Sequence, residues 1–387
     1  MTINERLKQI TPSEIRAFDA QVSTIPGLLN FTIGEPNFDV PEFIKDAMKE
    51  ALDKNFTHYA ASDGLQELRQ AIANFYQRRH QLDLNWQQIM VTVGASQGFM
   101  ITMMALLNPG DKVLIPSPYF PLYGYSSILS GGDSVFVDTS ADGFVLTPEA
   151  LDHQLQGHPE IKLLMLNYPN NPTGITYSKD QVKGLADVLR KYPDVYVLSD
   201  EIYGDLVYEG DHYSMVQELP ERTILLAGAS KSYAMTGFRL GFLHIPADLY
   251  EELFKIFQTM VTCVSTPDQW AGVAAYNDGD QAIDDMKGEY NDRRKMIVDR
   301  MTAMGFDIPH PAGAFYVFPR IPAKYGDDDQ AFALDLAEKA KVGVIPGSAF
   351  GPGGQGYFRF SYAAAYEDIA VAMDRMAAFM EVLQKNK

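Results

Sequence analysis

From Ile89 onward the chain alternates short, β-rich apolar runs with stretches of helical periodicity. The runs are Ile89–Val93, Lys112–Ile115, Ser134–Asp138, Lys162–Leu166, Val195–Ser199, Thr223–Leu226 and Gly241–Ile245. Between most of them lie helical segments such as Gln97–Leu107 and Ser178–Lys191. Strands that are apolar throughout, rather than alternating in and out, predict a parallel sheet covered on both faces. The pattern therefore predicts an α/β domain over residues 50–273. The remainder, residues 1–49 and 274–387, predicts a smaller α+β domain that the N-terminal arm joins in space. It holds a long charged helix near Glu289–Met304, strand candidates at Ala314–Phe318, Val342–Ile345 and Tyr357–Ser361, and a final amphipathic helix.

The polar residues fall in a telling place. Ser96, Asn171, Asp200 and Lys231 all follow the C-terminal ends of predicted strands, where open α/β sheets bind their ligands. A net charge of −18 over 387 residues argues against a nucleic-acid partner, which needs a basic face. Cys263 is the only cysteine, so no intrachain disulfide forms. Met1–Ile10 has no apolar signal core, and no apolar run is long enough to span a bilayer. A cytoplasmic protein is expected. The seven histidines are scattered and suggest no metal. Gly351–Gly356 reads G-x-G-x-x-G, but it precedes a strand instead of opening a helix and fails the dinucleotide context.

Lys231 ends an apolar strand among small residues, in Gly228-Ala229-Ser230-Lys231-Ser232. Desolvation there would lower its pKa, and a neutral amine can form a Schiff base with an aldehyde. Eight residues on, Arg239 offers a planar fork suited to phosphate. An aldehyde and a phosphate on one small molecule describe pyridoxal phosphate. The segment from Gly228 through Ala234-Met235-Thr236-Gly237 to Gly241 resembles the cofactor-lysine signature of class I/II aminotransferases.

Other segments carry the same resemblance. Asp200 follows an apolar run, so its carboxylate needs a cationic partner, which a protonated pyridine nitrogen would supply. Asp200-Glu201-Ile202-Tyr203 is similar to the family's Asp-x-x-Tyr, which implies that Ile202 packs under the ring and Tyr203 donates to its phenolic oxygen. Asn167–Gly174 is similar to the Asn-Pro-x-Gly loop and makes Asn171 the second donor. Gly94-Ala95-Ser96-Gln97 opens a helix, whose N–H groups and dipole suit a phosphate; Ala95 and Ser96 would bind it opposite Arg239. Phe120 matches the stacking aromatic. Arg359 sits within the apolar strand Tyr357–Ser361, where an unpaired cation is costly, and resembles the arginine for the substrate α-carboxylate. Gly34 matches the glycine where the N-terminal arm crosses the substrate. Tyr59 matches the tyrosine reaching the neighbouring subunit's cofactor phosphate, with Thr266-Pro267 also near that interface. Taken singly, these residues have plainer readings: a helix cap at Ser96 or Asp200, a core aromatic at Phe120, a structural salt bridge at Arg359.

The resemblance runs from about Gly34 to Arg359. It implies a fold-type-I enzyme with a mostly parallel seven-stranded sheet and a smaller α+β domain, a homodimer with shared sites. It further implies transfer of an amino group from an L-amino acid to 2-oxoglutarate. Segment wording is most like bacterial aromatic and N-acetyl-diaminopimelate aminotransferases. A preference for aspartate needs a second cation at the side-chain end of the pocket, and the helix after Ser96 is expected to present Phe99, Met100, Met103 and Met104 there instead of Lys or Arg; the expected donor is an aromatic amino acid (Phe or Tyr). Arg16 in the arm is the exception that keeps aspartate open. A cystathionine-type C–S β-lyase and a non-catalytic regulator are the remaining alternatives.

Overall fold

The computed structural model describes residues 3–385; the two residues at each end, expected in the small domain, lie outside the described residues. Twelve strands occur among the described residues, beginning with the two-residue β1 (Leu29–Asn30). All seven predicted runs form strands of one sheet: β2 (Ile89–Val93), β3 (Lys112–Ser117), β4 (Asp133–Asp138), β5 (Ile161–Asn167), β6 (Tyr196–Asp200), β7 (Thr223–Gly228) and β8 (Leu240–His244). Their order is β2-β8-β7-β6-β5-β3-β4. Every residue of β7 and β8 is buried, as the unbroken apolar runs require when helices cover both faces. The outer strand β4 is the wettest, with only Val137 buried.

The sheet is parallel except at β8, which runs antiparallel to both β2 and β7. Connection length explains this. Only Ala229–Arg239 joins β7 to β8, whereas a parallel crossover takes roughly a dozen or more residues including a packed helix. The short link returns the chain at once, and it is the segment that carries Lys231 and Arg239.

The remaining strands are β9 (Tyr316–Val317), β10 (Val342–Gly343), β11 (Ile345–Pro346) and β12 (Phe358–Ser361). The expected strand Val342–Ile345 is in fact two. β10 pairs with β1, and after Val344 the chain changes partner, so that β11 pairs with β12 and β12 with β9. The long charged helix also starts earlier than expected, spanning Asp280–Ala303. Ile15, Phe18, Val22 and Phe31 of the arm share one hydrophobic cluster with Met301, Phe332 and Ile369. The arm is thereby anchored on the C-terminal elements.

Within the large sheet, β8 packs directly on the start of the Gly94–Leu106 helix. A Cβ at Gly241 would lie 2.5 Å from the Gly94 carbonyl carbon and 2.6 Å from the Ala95 nitrogen. Backbone cannot step aside as a side chain does, and overpacking costs typically about 1–3 kcal/mol. Gly241→Ala should therefore destabilise the protein by about 3 kcal/mol in urea unfolding. A loss below about 0.5 kcal/mol, the range of a neutral surface change, would contradict this packing.

Candidate active site

A cavity of about 610 Å³ opens at the C-terminal ends of the parallel strands. Ala95, Ser96, Phe120, Asn171, Asp200 and Ile202 line it. So do Tyr203, Lys231, Arg239, Gly34 and Arg359. Of the predicted site residues only Tyr59 lies elsewhere: it is 86 % exposed, on a segment tied down by Thr266 Oγ1 donating to the His58 carbonyl at 2.7 Å.

Asp200 is the last residue of β6 and is buried. Its Oδ2 accepts from the Tyr123 hydroxyl at 2.7 Å and its Oδ1 from the Ile202 N–H at 3.1 Å. Burial pushes its pKa up to about 6, against these two hydrogen bonds. No Lys, Arg or His pairs with it among the described residues, so the carboxylate retains a demand for a cation. Tyr123 is a site residue that the sequence reading missed. Three residues beyond Phe120 in the chain, it packs edge-on against that ring at 5.6 Å.

Lys231 lies in the short Ala229–Ser232 helix between β7 and β8. Its Nζ donates to the Gly34 carbonyl at 2.8 Å. Burial lowers its pKa to about 8, outweighing the attraction of Glu35 and Asp200. Gly34 is there because nothing larger fits: a Cβ would lie 1.9 Å from the Tyr316 Oη. Tyr316 in turn shares a 2.8 Å hydrogen bond with the Tyr203 hydroxyl.

Arg239 immediately precedes β8, and its Nη2 lies 2.5 Å from where a Gly94 Cβ would be. The Gly94–Leu106 helix has Val93 at its N-cap with no side-chain cap bond. Ser96 is therefore not the cap; it is exposed within the first turn, toward the cavity. Unpaired N–H groups, a hydroxyl and a guanidinium together suit a phosphate.

Arg359 is 2 % exposed on β12. Its Nη1 donates to Asn171 Oδ1 at 2.8 Å and its Nη2 to the Thr32 carbonyl. Its buried Nε has no partner, and no carboxylate pairs with it among the described residues. A structural salt bridge is thus not its role; it faces the cavity as a cation held by neutral acceptors. The expectation for the helix after Ser96 needs correcting. Only Phe99 of the four named residues reaches the cavity: Met103 is buried in the core, Met104 is 44 % exposed, and the Met100 sulfur accepts from the Ser130 hydroxyl at 3.9 Å. Glu35, Thr236, Arg16 and Tyr316 also line the cavity. Among the described residues no cluster of His, Cys, Asp or Glu could hold a metal, and no helix is long and apolar enough to cross a membrane.

This sheet edge, with a neutralisable amine facing a buried carboxylate, has the arrangement of amino-group transfer chemistry. The model of the family "Aminotransferase class I and II" matches residues 26–376, and the chain belongs to that family. Aromatic-amino-acid aminotransferase 2 of Thermococcus litoralis is 40 % identical, with all of both chains covered. The probable N-acetyl-LL-diaminopimelate aminotransferase of Bacillus subtilis is 38 % identical over 100 % of this chain and 97 % of its own. The solved aspartate aminotransferase of Thermus thermophilus with maleate superposes with a TM-score of 0.92 at 34 % identity, covering 98 % of this chain and 99 % of that one.

The depressed Lys231 pKa makes a stability prediction. The unfolded chain keeps this proton up to about pH 10.5, the folded one only up to about 8. Folding is therefore penalised below pH 8, and the penalty fades as pH rises from 8 to 10.5. Lys231→Met should stabilise the ligand-free protein at pH 7 by about 3 kcal/mol, from 1.36 kcal/mol per pKa unit, and by much less at pH 10. Equal stabilisation at both pH values in urea unfolding would contradict the desolvation of this amine.

Proposed function

We propose that the protein is a pyridoxal-phosphate-dependent aminotransferase that moves an amino group from an aromatic L-amino acid to 2-oxoglutarate. The observation that carries the reading is Lys231, an amine with its pKa lowered to about 8 and its Nζ in the cavity that Asp200 also lines.

The residues fit the cofactor. A buried carboxylate without a cationic partner suits a protonated pyridine nitrogen, and the unpaired first turn with Ser96 and Arg239 suits a phosphate. When bound, pyridoxal phosphate supplies the electron sink for the carbanion at the substrate α-carbon. Asp200, oriented by Tyr123, would keep the ring nitrogen protonated. Phe120 and Ile202 would hold the ring, and Asn171 and Tyr203 would donate to its phenolic oxygen. Tyr203 can accept from Tyr316 and still donate onward. Arg359 orients the α-carboxylate through a bidentate pair. Lys231 would hold the cofactor through its aldehyde, and its freed Nζ would take and return the substrate α-proton, as general base and then acid.

A cytoplasmic homodimer is part of this reading, supported by a lone cysteine and by the exposed Tyr59, available to a second copy's phosphate. So is a division into a large domain (50–273) and a small one (1–49 with 274–387), supported by the core that the arm shares with the C-terminal elements. The names of the relatives favour aspartate and N-acetyl-LL-diaminopimelate as second readings for the donor.

The loaded protein should lose its visible cofactor absorbance on addition of Phe or Tyr and regain it with 2-oxoglutarate. A response to Asp or N-acetyl-LL-diaminopimelate alone would overturn the aromatic assignment, and indifference to every amino acid would overturn transamination. Lys231→Ala should reduce turnover by about 10⁴-fold, the upper range for a positioned acid–base group. Substantial turnover by that variant would refute its role.

A further inference from the structure

Strands β5 and β6 end side by side, and their last residues, Asn167 and Asp200, are register partners. Asp200 has a role in the proposed function. Asn167 has none, although it lines the same cavity. Its side chain is engaged at both ends. The Nδ2 donates to the Asp200 carbonyl at 3.1 Å, and the Oδ1 accepts from the Asn171 N–H at 2.9 Å. A carboxamide carries a donor and an acceptor on one planar group, whereas an ionised Asp only accepts and a Leu of similar size does neither.

The loop that follows needs such a tether. Pro169 and Pro172 have no N–H to give, and the ladder between β5 and β6 stops once the Tyr168 N–H reaches the Asp200 carbonyl at 3.3 Å. Beyond that point the loop bonds largely to itself. The Asn170 Oδ1 accepts from the Thr173 N–H and hydroxyl at 3.1 and 2.8 Å, and the Gly174 N–H returns to the Asn170 carbonyl at 2.9 Å. The Asn167 side chain is what ties Asn171 back to the two strands. Asn171 then has its own amide set, because its Oδ1 accepts from Arg359 Nη1 at 2.8 Å. Its Nδ2, without a partner among the described residues, is left for the cavity that Asn171 lines.

We infer that Asn167 is a positioning residue: its amide spaces Asp200 and Asn171 so that the carboxylate for the ring nitrogen and the donor for the phenolic oxygen meet one cofactor ring together. The inference rests on the proposed function for the roles of those two residues. Nitrogen and oxygen occupy fixed places on a rigid aromatic ring, so the protein groups that serve them must keep a fixed separation as well. A loop bonded only to itself would let Asn171 shift relative to β6. The Asn167 amide makes both residues part of one strand pair, and a site set before binding avoids the cost of ordering it afterwards.

The test compares pyridoxal phosphate with its deoxy analogue, which lacks the phenolic oxygen, each titrated calorimetrically into the full chain freed of cofactor. Asn167→Leu removes both hydrogen bonds and should weaken pyridoxal phosphate about 30-fold, the strength of two neutral hydrogen bonds. It should weaken the analogue only about 5-fold, since Asn171 has no partner on that ring. Asn167→Asp keeps the acceptor for Asn171 and loses the donor to Asp200, so it should weaken both ligands by a common factor. Equal losses for the two ligands in Asn167→Leu, the mark of a general loosening of the fold, would overturn the inference, as would losses under about 3-fold for both. If Asn167→Leu does not fold, Asn167→Asp decides alone, and wild-type affinity for both ligands refutes the tether. A wild type that binds the cofactor yet transaminates nothing sinks the functional reading while the titrations still decide Asn167. A wild type that binds no cofactor sinks both.

Discussion

An amine and a carboxylate stand at one sheet edge, both largely withdrawn from water and neither in an ion pair among the described residues. The site's chemistry depends on that constraint. Lys231 and Asp200 both have pKa values moved toward neutrality by burial, which is unfavourable for folding and useful for proton transfer. Had they met directly, each would have stabilised the other's charge and moved both pKa values away from neutrality. Keeping them apart requires rigid neighbours. Glu201, next to Asp200, accepts from Ser199 and Ser214 at 2.7 and 2.8 Å and lies 2.6 Å from His212. Asp205 accepts from Ser232, the neighbour of Lys231, at 2.6 Å and lies 2.9 Å from His80. Two acid–histidine pairs thus fix the chain beside each functional residue. Burial pushes the Glu201 pKa up, but His212 and the two serines outweigh it and hold the carboxyl below its usual value.

The sheet was legible in the sequence because its physics is local. Runs such as Thr223–Leu226 are apolar because both faces are covered, and a polar residue ending such a run can only emerge at the edge. That logic reaches Asp200 and Lys231 without any knowledge of pairing. It does not reach Tyr123, whose partner Asp200 is 77 positions away, or Tyr316, 113 positions from Tyr203. Nothing in an isolated tyrosine tells a core ring from a hydroxyl that orients a carboxylate. The methionines after Ser96 show the same limit. In an apolar helix with core on several sides, periodicity does not tell which side faces the cavity, and Met103 turned to the core while Met104 turned to solvent. The direction of β8 was legible in principle from the shortness of Ala229–Arg239. The split of Val342–Ile345 was not, since a change of strand partner at Val344 leaves no mark on an apolar tetrapeptide.

The N-terminal arm joins these two kinds of structure. Phe31 stacks on Phe360 of β12 at 4.3 Å, and the Phe31 N–H donates to the Gly343 carbonyl at 2.9 Å. The arm therefore forms its own two-stranded sheet with β10, packs on β12 through Phe31, and reaches Lys231 beyond the end of β7. Two residues apart, its carbonyls at Thr32 and Gly34 accept from Arg359 and Lys231. These acceptors are neutral. They satisfy donors that would otherwise be buried unpaired, yet they leave both positive charges in place. A carboxylate or phosphate entering the cavity therefore still finds uncompensated cations, with their orientation already set. A side-chain acid in the arm's place would have satisfied the same donors and removed the attraction. Gly34, pressed against Tyr316 with no room for a side chain, keeps the arm low enough for its backbone to take that part.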